Sequence, residues 1–106
     1  MIATLVTFRL PERWSLERAT EVYRSTAPKY LDTPGLVRKH YVLHDGGQRS
    51  GGFYLWRTRA DAEACFDEAW RAAVTAKYGT PPEIMTMTVP VTVDPVRNAI
   101  DEDVAP

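Results

Sequence analysis

The stretch LVRKHYVLHDGGQRSGGFYLW, from Leu36 to Trp56, decides the fold. Its first part, Leu36 to His44, alternates between two parity sets. Leu36, Arg38, His40, Val42 and His44 form one; Val37, Lys39, Tyr41 and Leu43 form the other. A period of two is the signature of a strand. Asp45-Gly46-Gly47 and Gly51-Gly52 then bracket a polar loop of the kind that joins antiparallel neighbours. Phe53 to Arg57 is the returning strand, with Tyr54 and Trp56 on one face and Phe53 and Leu55 on the other. The loop leaves the register open. It therefore leaves open which face His40, Tyr54 and Trp56 occupy.

Outward from this hairpin, helices and strands alternate. Residues 2–10 read as a strand with two largely apolar faces, which belongs inside a sheet. Pro11 ends it. Ser15 is an N-cap and Glu17 suits the first helical turn, so a helix is expected from about 15 to 27, with Pro28 ending or kinking it. Thr33-Pro34-Gly35 is a turn. After the hairpin, Thr58 and Asp61 make a capping-box pattern, and a second helix is expected over 59–78, closed by Gly79 and Pro81-Pro82. Glu83 to Val93 is the last strand, an edge where Pro90 withholds its donor.

The order strand, helix, strand, hairpin, strand, helix, strand is a split β-α-β unit. It predicts an α+β, ferredoxin-like β-α-β-β-α-β fold: a four-stranded antiparallel sheet with both helices on one face. The domain spans 1–94. Residues 95–106 are an acidic C-terminal tail or arm, either disordered or docked on a partner. Met85, Met87, Val89 and Val91 make the uncovered sheet face apolar, and the chain holds no third layer to cover it. A homodimer is the expected cover.

The 106 residues fit one domain, with 44% apolar and 25% charged residues. A net charge of -1 without a basic stripe argues against nucleic acid as a partner. Cys65 is the only cysteine, so neither a disulfide within the chain nor a cysteine metal site is expected. Met1 to Leu10 lacks a basic leader and a small-residue cleavage site, and no apolar run approaches the ~20 residues of a membrane span. No signal peptide and no membrane association are expected, and a cytoplasmic location is.

Thr33-Pro34-Gly35-Leu36-Val37-Arg38-Lys39-His40-Tyr41, followed by Gly51-Gly52-Phe53-Tyr54-Leu55-Trp56, resembles the YdhR-type monooxygenase family. Ala27-Pro28-Lys29-Tyr30, Trp70-Arg71 and Pro81-Pro82-Glu83 extend the resemblance over about residues 2–94. It implies a dimeric α+β barrel whose two sheets face each other, with a cavity between sheet and helices in each subunit. It also implies a cofactor-independent monooxygenase, by analogy with quinone-forming oxygenases of the same fold. Related barrels include isomerases, dehydratases and haem enzymes, and fold alone does not choose among them.

The residues themselves narrow the chemistry. No Gly-rich phosphate loop opens a helix, and no HExxH spacing occurs. His40 and His44 lie about 13 Å apart along a strand, too far to share a metal, so no metal site is expected. Cys65 falls on an apolar helix face, as core cysteines do. Lys29, Arg71 and Lys77 read as solvated helix faces. What remains is an aromatic set with few polar groups: Tyr23, Tyr30, His40, Tyr41, Tyr54, Trp56, Phe66, Trp70 and Tyr78. These residues are either core or the walls of a pocket for a planar aromatic molecule.

His40 is the candidate general base, because an imidazole accepts a proton near neutral pH. Arg38, on the same strand face, is the candidate anion partner. Tyr23, Tyr41, Tyr54, Trp56, Phe66 and Trp70 complete the expected binding set. The reading is a monooxygenase acting on a small quinol- or phenol-like substrate without a cofactor. A non-catalytic dimer that binds a small hydrophobic ligand, or an isomerase of the same fold, remains open.

Overall fold

In a computed structural model describing residues 1–103, β1 (Ile2–Arg9) lies between β3 (Arg49–Trp56) and β4 (Glu83–Thr88). The part of the expected tail from 104 to 106 lies outside the described residues. β2 (Leu36–His44) flanks β3 at the edge, giving the order β2-β3-β1-β4 with every neighbour antiparallel. Ile2, Thr4, Val6 and Phe8 of β1 are buried toward the helices, and Ala3 is buried on the opposite face. This two-sided burial is what the two apolar parity sets of β1 predict. The ferredoxin-like expectation for the sheet is borne out.

α1 (Leu16–Thr26) starts where Ser15 Oγ accepts from Arg18 N, and buries Ala19. It runs into a 3-10 turn, Ala27–Tyr30, that absorbs Pro28. After β3, Thr58 Oγ1 accepts from Asp61 N at 3.1 Å and donates to its carboxylate at 2.7 Å. Thr58 therefore caps the helix as expected, but the Asp61 carboxylate accepts from the Thr58 hydroxyl rather than from its backbone N–H, so the box is not closed as in the glutamate pattern. Gly35 has a φ of +73°, and a Cβ there would collide with the Asp61 carboxylate. Only glycine fits both the left-handed turn and the approach to the helix start.

Three expectations are corrected. The single helix over 59–78 is two: α2 (Arg59–Cys65) and α3 (Glu68–Tyr78). Phe66 leaves the helical region and Asp67 caps α3 by accepting from Trp70 N, which turns the Phe66 ring inward against Tyr54 and Trp56. β3 starts at Arg49 rather than Phe53, and a 3-10 turn, Asp45–Gly47, makes the connection. Gly51 is in the strand because a Cβ there would meet the Val6 carbonyl of β1. The last strand stops at Thr88. Pro90 interrupts it, and β5 (Val91–Asp94) pairs with β6 (Ala99–Glu102) as a separate hairpin.

That hairpin is tied at its root. Val89 N donates to Met1 O, Asp103 N donates to Pro90 O, and the Met1 ammonium pairs with the Asp103 carboxylate. Val93 and Ile100, paired across it, are 66% and 70% exposed. The sheet face away from the helices carries Leu5, Phe53, Leu55, Met85 and Met87, of which Met85 is 59% exposed. Among the described residues no helix is long and apolar enough to cross a membrane.

Candidate functional site

The register of β2 on β3 sorts the candidate residues. Lys39 pairs with Tyr54, Tyr41 with Gly52 and Leu43 with Ser50, on the helix side of the sheet. His40 pairs with Phe53 and Arg38 with Leu55, on the other side. Both His40 and Arg38 are exposed. A register shift between Leu36 and Arg38 leaves Val37 extra, so Leu36 and Lys39 face the same way.

On the helix side, sheet, 3-10 turn and α3 enclose a partly open cavity of about 110 Å³. Tyr41, Tyr54 and Trp70, three residues of the expected binding set, line it. Tyr30 and Lys39, outside that set, line it too. Trp56 lies deeper: it is fully buried, with its indole N–H donating to Thr4 Oγ1 at 2.9 Å. Phe66 packs edge-on against Tyr54 and Trp56. Tyr23 stands behind Tyr41, stacked at 4.7 Å, with its hydroxyl donating to Val42 O and sharing a hydrogen bond with Ser50 Oγ. Trp56, Phe66 and Tyr23 therefore act as core behind the cavity wall. His40 and Arg38 have no access to the cavity, because alternation sends them to the far face.

Lys39 is the central group. Its ammonium lies 3.5 Å from the centre of the Tyr30 ring, 3.9 Å from Tyr41 and 4.6 Å from Tyr54. Three π faces make a cage for a cation. Gly52 makes room for it: a Cβ there would press on Tyr54 and on the Lys39 stem. Among the described residues the ammonium has no hydrogen bond and no ion pair. Burial pushes Lys39 down to about 7, helped by the nearby Lys29 charge and opposed by Cys65. Desolvation of an unpaired cation has this sign. The sequence signal for Lys39 was its parity with Tyr41, readable only once the register is known.

The tyrosines supply protons rather than charge. Burial pushes the Tyr54 hydroxyl far up, reinforced by Tyr30, and burial also raises Tyr41. The Trp70 indole donates to Tyr30 Oη at 3.0 Å, and Tyr41 Oη and Thr26 Oγ1 are 2.7 Å apart. The site combines one titratable amine, protonated phenols as donors and apolar walls. Among the described residues no three His, Cys, Asp or Glu side chains come together as metal ligands do.

No family model matches the chain, and no curated protein does. Solved structures do match. The monooxygenase from the gene ActVA-Orf6 of Streptomyces coelicolor, in complex with nanaomycin D, superposes with a TM-score of 0.61 at 17% identity, covering 83% of this chain and 86% of that one. SnoaB, a cofactor-independent oxygenase from Streptomyces nogalater, gives 0.60 at 17% identity over 87% and 95%. An antibiotic biosynthesis monooxygenase gives 0.61 at 16% identity over 84% and 98%. Further neighbours are also described as antibiotic biosynthesis monooxygenases. At such identities the likeness establishes the ferredoxin-like α+β fold.

Proposed function

We propose that this chain is a monooxygenase of a small phenol- or quinol-like aromatic, that it needs no cofactor, and that Lys39 is its general base. The observation that carries this is the Lys39 amine, caged by three tyrosine rings in the cavity wall and able to titrate at about 7. A base poised near the working pH is the efficient one. The neighbours that are monooxygenases, one of them described as cofactor-independent, support the reaction class.

The chemistry runs on the substrate's own electrons. With an anthrone-like substrate, neutral Lys39 takes a proton from the acidic ring CH₂ (equivalently the enol O–H). The ammonium so formed faces the carbanion, whose charge rests on the ring oxygen. Tyr54 and Tyr41, both protonated, are the donors available to that oxygen. The anion gives an electron to O₂, and recombination makes a C–O bond. Lys39 returns its proton to the peroxide. Loss of the second ring hydrogen as a proton then breaks the O–O bond, leaving C=O and water. One oxygen atom enters the product and the other leaves as water.

Homodimer formation through the open sheet face belongs to the same proposal. Phe53, Met85, Leu5 and Leu55 form an apolar surface that a second copy would cover.

Oxygen uptake with an anthrone or a dihydroxynaphthalene tests the reading. Wild-type protein is expected to consume oxygen above the buffer rate. Lys39→Met is expected to lower the rate about 10²-fold or more, and His40→Ala to leave it near wild type. Uptake at the buffer rate overturns the oxygenase; loss in His40→Ala with retention in Lys39→Met overturns the base assignment.

A further inference from the structure

The chain has 13 basic residues, three of them lysines (Lys29, Lys39 and Lys77) and ten of them arginines. All three lysines line the same aromatic cavity, and none of the arginines does. Among the described residues no Asp or Glu lines it either. The cavity is thus a wholly cationic site on a chain whose net charge is -1.

The lysines divide by depth. Lys39 is half-buried in the tyrosine cage, whereas Lys29 and Lys77 are exposed and stand at the solvent side. The Lys29 ammonium lies 5.2 Å from the centre of the Tyr30 ring, on the 3-10 turn that forms one wall, and Lys77 sits on α3, which also lines the cavity. Among the described residues neither is paired with a carboxylate. The Lys29 charge opposes a charge on Lys39 across this small cavity, and that repulsion adds to burial in lowering Lys39. A bound anion would relieve it.

The size of the cavity adds a constraint. A cavity of about 150 Å³ encloses one benzene. At about 110 Å³ this one is smaller but open to solvent, so it admits part of one ring and leaves the rest of a larger ligand at the mouth, beside Lys29 and Lys77.

We propose that the ligand of this cavity is an aromatic hydroxy acid, its hydroxyl-bearing ring inserted toward Lys39 and its carboxylate held at the mouth by Lys29 and Lys77. This rests on reading the cavity as a site for an aromatic molecule, but not on the oxygen chemistry.

The test compares 6-hydroxy-2-naphthoate with its neutral methyl ester, following quenching of tryptophan fluorescence at low and moderate salt. The acid is expected to bind roughly five- to tenfold tighter than the ester, with the advantage shrinking as salt rises. In the double variant Lys29→Gln/Lys77→Gln the acid falls to the affinity of the ester, while the ester is unchanged. Retained ester binding also shows that the variant is folded. Equal binding of acid and ester to the wild type, or an unchanged acid preference in the double variant, overturns the proposal. Binding of neither compound overturns both the proposal and the cavity reading. Acid-selective binding with no oxygen uptake from any quinol acid leaves the proposal standing and removes the oxygenase alone.

Discussion

Lys39 and His40 are neighbours in β2 and face opposite sides of the sheet: Lys39 pairs with Tyr54 on the helix side, and His40 pairs with Phe53 on the open side. One peptide unit thus separates a caged amine from a solvated imidazole. The amine gains its chemistry from placement. Tyr30, Tyr41 and Tyr54 surround it, Gly52 leaves space for its stem, and burial drives its titration toward neutral pH.

The pH dependence of the reaction follows. The base must be neutral, so kcat/KM is expected to rise about tenfold per pH unit below 7 and to level off above it. The groups facing Lys39 are Lys29, Tyr30, Tyr41, Tyr54 and Cys65, and the raised tyrosines stay protonated across this range. Lys39→Arg, which keeps the charge and cannot lose its proton, is expected to be inactive at every pH. Oxygen-electrode rates from pH 5.5 to 9 check both; a flat profile overturns the assignment.

The same shift makes a stability prediction. Lys39 titrates at about 7 when folded and near 10.4 when unfolded. Below pH 7 both states hold the proton, and the folded state carries the cost of burying it. Between about 7 and 10 the unfolded state binds more protons, so stability rises with pH. Lys39→Met removes that cost. It is expected to stabilise the fold by about 1–2 kcal/mol at pH 6, discounted for the partial exposure of the group, and by little at pH 10. Urea unfolding at the two pH values measures it, and an equal gain at both contradicts the shift.

The open sheet face predicts the oligomeric state. Sedimentation at micromolar concentration is expected to give twice the mass of the chain. Phe53→Glu, which places a charge among Leu5, Leu55 and Met85, is expected to halve that mass without unfolding the protein, because Phe53 is already 38% exposed in the single chain. Monomeric wild type refutes the argument from the apolar face.

Tyr30 links the two sides of the cavity: its hydroxyl accepts from the Trp70 indole and its ring stands edge-on to Tyr54. Tyr30→Phe keeps the cation–π face and removes the hydrogen bond. It is expected to cost about 1 kcal/mol and to shift Trp70 emission. A ligand-binding loss without any stability loss would mean that the hydroxyl contacts ligand directly.

Gly52→Ala tests the room left for Lys39. The added methyl meets the Tyr54 ring and the Lys39 stem, both side chains that can move. The expected result is a folded protein with the Lys39 pKa displaced and oxygen uptake reduced by tenfold or more, read against wild type by the pH–rate profile.

The amino-acid sequence by itself determined the element order, the split β-α-β class, the N-caps at Ser15 and Thr58 and the two-faced central strand, because these rest on local periodicity and capping chemistry. It also contained the aromatic residues of the cavity wall. It did not disclose the break at Phe66, since Asp67 reads as one more polar residue of a helix until its side chain is seen capping Trp70 N. Nor did it disclose which side of β2 meets Tyr54. Parity divides Lys39 from His40 in sequence, but only the pairing of β2 with β3 says which parity faces the helices. That choice depends on the strand starting at Arg49 and on Gly51 lying against β1. Tertiary structure therefore decided that the amine and not the imidazole faces the cavity, because a shift of one residue in register exchanges the two faces of a strand.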